Sequence, residues 1–108
     1  MKREVIDTDR APHTGMPYAQ AVRYGNLVFV AGQVALDPAT AKPTGGDIAA
    51  QTKRVLDNIT AILEEAGTSL QYALDSLDPP RTTVEAAMPR EQFLVEIRII
   101  AGMPDYQR

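Results

Sequence analysis

Short alternating segments make up most of this chain, and one long stretch departs from them. "KREVI" (2–6) fits a short edge strand, and residues 7–15, rich in Pro, Asp, Thr and Gly, read as a loop. Tyr18–Arg23 and Leu27–Val34 read as the two strands of a hairpin, with Gly25–Asn26 as its two-residue turn. "LVFVAGQV" is apolar on both faces for most of its length, which predicts a central strand. Gly32 within it marks a bulge or a close approach by another backbone or a ligand. The period then changes. Ile48, Thr52, Val55, Leu56, Ile59, Ile62, Leu63 and Ala66 recur at helical spacing, Asp47 stands where an N-cap belongs and Gly67 where a C′ residue belongs. The spacing predicts a helix over 48–66, roughly 28 Å long at 1.5 Å per residue, long enough to lie across a sheet.

Alternation returns in the last third. Arg81, Thr83, Glu85 and Ala87 share one face of an 81–88 strand, and "PREQ" is a plausible hairpin loop. In 93–101, Phe93, Val95, Ile97 and Ile99 face one way, and Leu94, Glu96, Arg98 and Ile100 the other. The tightest pairing of these strands opposes Glu85 and Glu96, which like charges disfavour; a shifted register or an intervening Arg98 is needed. Strands, a helix and further strands make an α+β domain with helix on one sheet face. The other face has no cover within the chain, and a second copy is the simplest candidate.

The totals narrow the function. The chain has 108 residues, the size of one domain, with a net charge of −3. No basic cluster exceeds the pair Lys53–Arg54, so the basic face that nucleic-acid binding rests on is missing. There is no cysteine, so no disulfide framework and no thiolate metal site. No apolar run is long enough to span a bilayer, and the N-terminal stretch has no secretory apolar region, which makes the cytoplasm the default and a membrane partner unexpected. "PTGGD" lacks the strand context of a phosphate loop, and no His, Cys and carboxylate cluster points to a metal. His13 is the only histidine and reads as incidental, so no catalytic triad can be assembled.

Three segments, "GMPYAQAVRYGNLVFVAGQVALDP", "GDIAAQTKRVLDNITAILEEAGTSL" and "PPRTTVEAAMPREQFLVEIRIIA", resemble the Rid (reactive intermediate deaminase) family, also called YjgF, from about Gly15 to Ala101. The most specific part is the R-[ST]-x-V-E strand followed by V-E-I. The resemblance implies a fold like bacterial chorismate mutase: a single sheet with helices on one face, three copies closing into a barrel, and ligand sites between subunits. It implies hydrolysis of 2-imino or enamine acids to 2-keto acids and ammonia, with a small carboxylate-bearing imine as substrate and no cofactor. It also implies a strand and a helix between "GTSLQYALDS" and the arginine motif. Here "LDSLDPPR" joins them directly, about 25–30 residues short, the size of one helix and one strand with connections. The chain is expected to lack that segment, with the join near Asp75–Asp78. A normal Cα–Cα spacing of about 3.8 Å at every bond from Leu74 to Pro80 would contradict an omitted stretch.

By residue type, an arginine at a strand start is usually solvated, yet a guanidinium can grip a carboxylate with two parallel hydrogen bonds. Arg81 matches the family's substrate-binding arginine. Glu96 either pairs with Arg98 on its own strand face or guides water onto the imine carbon, and the V-E-I match favours the second. Tyr18 matches a cleft-lining tyrosine, with ordinary packing as the alternative. Ala31 and Gly32 match the bend where backbone amides approach the ligand; many members carry serine at the position of Ala31. Thr83 stands where relatives often carry cysteine and would contact substrate through its backbone. Glu85 reads as structural. The other readings are a trimeric binding or regulatory protein without turnover, which Arg81 counts against, and a ribonuclease, which the acidic charge counts against.

Overall fold

The computed structural model describes residues 2–15, 19–74 and 92–104. Among them, β1 (Arg3–Ile6), β2 (Ala21–Tyr24), β3 (Leu27–Val30) and β4 (Ile100–Gly102) form one antiparallel sheet in that spatial order, with helix α1 (Ile48–Ala66) between β3 and β4 in sequence. β1 is at the edge and β3 lies inside, as the pattern predicted. Gly25, at φ 65°, takes the first central place of the two-residue turn that closes the Tyr24–Leu27 pair, where a hairpin turn of the II′ kind needs glycine.

Both helix ends follow their signals. The Asp47 carboxylate accepts the Ala50 N–H at 2.9 Å. Gly67 has φ 90°, and the N–H groups of Gly67 and Thr68 donate to Glu64 O and Leu63 O, a Schellman close. Val55, Ile59, Ile62 and Leu63 are fully buried against Ile6, Ala21, Val28, Val30 and Ala101. At ~1.5–3 kcal/mol for each large aliphatic side chain fully buried, these four helix residues contribute about 6–12 kcal/mol.

The stripe departs from its prediction at several positions: Thr52 and Leu56 are half-buried, and Ala61 is buried outside it. Ile48 is exposed, while the polar Gln51 and Asn58 are buried within it. Each polar side chain is held by backbone: Asn58 Nδ2 donates to Leu36 O at 3.0 Å, and Gln51 Nε2 donates to Gly46 O and Gln92 O. The strands are also shorter than the alternation predicts. Strand pairing of β3 ends at Val30, beyond which only Gln33 bridges Ile97, and β4 begins at Ile100. The face assignment in 93–101 holds: Phe93 and Ile99 are buried and Leu94, Glu96 and Arg98 are exposed.

The registers Val5↔Val22, Val22↔Phe29, Tyr24↔Leu27 and Phe29↔Ile100 put one apolar set on the face away from α1. Val5, Tyr24 and Phe29 are 53%, 48% and 42% exposed there. No helix among the described residues is long and apolar enough to cross a membrane.

Candidate functional site

The geometry of interest lies where β3 runs out. Ala31 N–H donates to Gln20 O at 2.9 Å, and Gln33 and Ile97 exchange two backbone hydrogen bonds of 2.9 and 3.0 Å. Gly32 stands between these anchored neighbours, and its N–H donates to no described residue. The Ala31 carbonyl accepts Gln33 Nε2 at 3.1 Å. Of the two amides at this bend, Ala31's is therefore already engaged, and Gly32's has no acceptor among the described residues.

The Gln33–Ile97 pair also fixes what faces Gly32. Between the Phe29–Ile100 pair and the Gln33–Ile97 bridge the register shifts by one, so Ala31 and Gly32 together oppose Arg98, a bulge of the kind a mid-strand glycine signals, and Glu96 follows two residues before Arg98 on the same strand face. The Glu96 carboxylate leans over Gly32: a Cβ placed there would overlap Oε2 and lie 3.2 Å from Cδ. The close approach that a mid-strand glycine signalled is thus made by a side chain. Glu96 forms no ion pair with Arg98 or any other described residue, so the surface pair weighed for it is not formed.

Two depressions meet at this bend. One, of about 250 Å³, is walled by Gly32, Gln33, Gln20 and the His13–Gly15 arm. The other, of about 600 Å³, lies on the open sheet face and is lined by Ala31, Phe29 and Arg98. Ala19 borders both. The arm is held by one buried side chain. Gln20 Oε1 accepts Thr8 N–H at 2.8 Å, while Nε2 lies 3.0–3.3 Å from the carbonyls of Thr8, Ala11 and Pro12. His13, read from sequence as incidental, sits on the wall with Nδ1 3.4 Å from Asp7 and Nε2 3.2 Å from Asp9. Neither arrangement had a sequence signal, because a glutamine bonding a loop backbone leaves no periodic trace.

The structure brings together Ala31, Gly32 and Glu96 of the expected site. Tyr18, Arg81 and Thr83 lie outside the described residues, as do Glu85, the 81–88 strand and the join near Asp75–Asp78. No cluster of three His or carboxylate groups able to hold a metal occurs among the described residues.

The model of the family described as Endoribonuclease L-PSP matches residues 8–76. A RutC family protein of Pyrococcus abyssi is 41% identical over 124 aligned positions, covering 94% of this chain and 98% of the relative. At least 16 of those positions (124 less 108) stand opposite a gap in this chain. Among solved structures, YyfA of Yersinia pestis, from the conserved Rid family, superposes with a TM-score of 0.83 at 32% identity, covering 94% of this chain and all of that one. RidA from an Antarctic Psychrobacter gives 0.78 at 32% identity, with coverage of 93% and 99%.

Fold and bend together define a small α+β domain whose antiparallel sheet carries a helix on one face and a cleft at the end of a central strand, an architecture shared with the L-PSP and Rid structures. This chain belongs to that family, the endoribonuclease L-PSP group that takes in the RutC and Rid/YjgF proteins.

Proposed function

We propose that the protein hydrolyses 2-imino acids, or their enamine tautomers, to 2-keto acids and ammonia. The observation that carries this reading is the Glu96 carboxylate poised over Gly32, with neither the carboxylate nor the Gly32 N–H partnered among the described residues. An imine needs water delivered to its electrophilic carbon, and a carboxylate that is not tied up in an ion pair can orient that water and take its proton. The new C–O bond and a proton on nitrogen give a carbinolamine. Its hydroxyl proton leaves as C=O forms, the C–N bond breaks, and the nitrogen departs as ammonia. Arg81 grips the substrate carboxylate through its guanidinium fork, the backbone at Gly32 and Thr83 fixes orientation, and Tyr18 screens the apolar side. No group beyond these side chains and water enters the balance.

The assembly belongs to the same proposal. The apolar face bearing Val5, Tyr24 and Phe29 is covered by further copies of the chain, three closing into a barrel of the bacterial chorismate-mutase kind, with each site at a boundary between copies. Relative to its relatives, this single domain lacks a strand–helix segment near Asp75–Asp78. The family match ending at Ser76 and the gapped alignment support that reading. So does the Ala73–Ala101 bridge, with Leu74 N–H donating to Ile100 O at 2.8 Å, which lays the chain along β4 where a further strand would begin.

An amino-acid oxidase coupled to the protein tests the activity, by generating the imine in place and following keto acid. The protein should speed keto-acid appearance and Arg81→Ala should abolish the effect while folding normally; full activity in a folded Arg81→Ala variant defeats the assignment. A ribonuclease reading has the family's description behind it. The net charge of −3 and the missing basic face count against it. RNA cleavage lost with Arg81→Ala or Glu96→Gln would favour that reading instead. A protein that binds small acids without speeding keto-acid release would be a ligand-binding member.

A further inference from the structure

We infer that Gly32 is the seat of the Glu96 carboxylate, a positioning residue that acts on the reaction through Glu96; this rests on the hydrolytic reading above. The two strands are locked by the Gln33–Ile97 pair, so the backbone at Gly32 and the stem of Glu96 hold fixed places. The gap left by the missing side chain is filled by the carboxylate. A Cβ at position 32 would lie 3.2 Å from Glu96 Cδ and 3.5 Å from Cγ, and would overlap Oε2. Alanine, the smallest substitution, already evicts the carboxylate.

What moves on eviction follows from the same geometry. The atoms met are the far end of a flexible, exposed side chain, with no backbone among them. Glu96 can swing into solvent, so Gly32→Ala should leave the sheet intact. Nor does the substitution remove the Gly32 N–H. The glycine therefore acts on where the carboxylate stands, and catalysis by a positioned base is sensitive to displacements of about 1 Å.

A double-mutant cycle separates this role from a direct one. Gly32→Ala should lower kcat by about 10²-fold or more, comparable with Glu96→Gln, with KM changed less than about threefold. In the Glu96→Gln background, Gly32→Ala should cost less than about a further twofold, because the group it acts through has already been disabled. Multiplied losses would overturn the proposal and show that the Gly32 substitution acts independently of Glu96. A crystal structure of Gly32→Ala gives a readout free of activity, with the Glu96 carboxylate expected away from the bend; finding it unmoved also overturns the proposal. Should the wild-type protein turn over no imine, the hydrolytic reading fails alone, and the crystal structure still decides whether Gly32 seats Glu96.

Discussion

Gln51 is a polar residue inside an apolar helical stripe, and replacing it with methionine tests why it is there. Methionine matches glutamine in length and helix propensity, so neither a cavity nor a backbone penalty accompanies the change. Lost are the two bonds from Nε2, to Gly46 O at 3.0 Å and Gln92 O at 2.9 Å, and the bond from Leu94 N–H to Oε1 at 2.9 Å. Gly46, Gln92 and Leu94 are all exposed residues, so water can partly replace the lost partner. The net value of each bond then applies, ~0.5–1.5 kcal/mol, in place of a full desolvation penalty. Methionine recovers about 1 kcal/mol by being apolar in a site that is 1% exposed. The balance is a loss of about 2 kcal/mol, or ~9 °C in melting temperature for a chain of this length. Urea unfolding measures the first figure at unchanged slope. Amide exchange supplies the local check, with Leu94 losing protection while the α1 core amides keep theirs. A loss below about 0.5 kcal/mol, or an unchanged Leu94 amide, would refute the view that Gln51 ties the segment leading to Glu96 onto the helix.

Two further outcomes are expected. Light scattering should find three copies of the 11.8 kDa chain, and Phe29→Glu, which puts charge on the open sheet face, should give single copies; a wild-type monomer would remove the basis for an intersubunit site. Asp57 is held below the usual carboxylate range, first by the hydrogen bond from Lys53 and then by the charges of Lys53 and Arg54, with burial opposing. A lowered folded value stabilises the protein above the unfolded value and fades as pH falls through the folded one, so Lys53→Gln should cost at most ~0.5 kcal/mol near neutrality and nothing well below pH ~4. A cost that persists at low pH would assign Lys53 a role other than this pair.

Elements governed by their own neighbours were legible in the sequence. The helix over 48–66 is marked by an N-cap and a C′ glycine that each act within a turn, and both lie where predicted. The hairpin turn depends on Gly25 alone, and the alternation of 93–101 sorted Phe93 and Ile99 from Leu94, Glu96 and Arg98 because period two is a local property. Features set by distant chain were not legible. Gln51 and Asn58 are polar letters in an apolar stripe, and they are buried because backbone at Gly46, Gln92 and Leu36 happens to reach them. The strand of Leu27 pairs only to Val30, although its apolar run continues, because the chain bends at Ala31–Gly32 and only Gln33 rejoins the ladder. Gln20 and His13 gained partners from a loop with no periodicity at all.

The pairing of Gly32 with Glu96 lies between these cases. Alternation put Glu96 on the open face and composition put a glycine in a central strand, but only the Gln33–Ile97 register brings them together. The buried Ile99 and Ala101 fix the face of this strand and so keep Glu96 off the helix side, while one extra residue at Ala31–Gly32 shifts the register between the Phe29–Ile100 pair and the Gln33–Ile97 bridge. The same parity leaves Val5, Tyr24 and Phe29 uncovered on the face that carries Glu96 and Arg98. Core packing on one side of the sheet thereby dictates where both the carboxylate and the sticky surface appear on the other. If the proposed assembly forms over Val5, Tyr24 and Phe29, Glu96 falls on the face that it covers, so one hydrophobic pattern would set both the proposed interface and the proposed site.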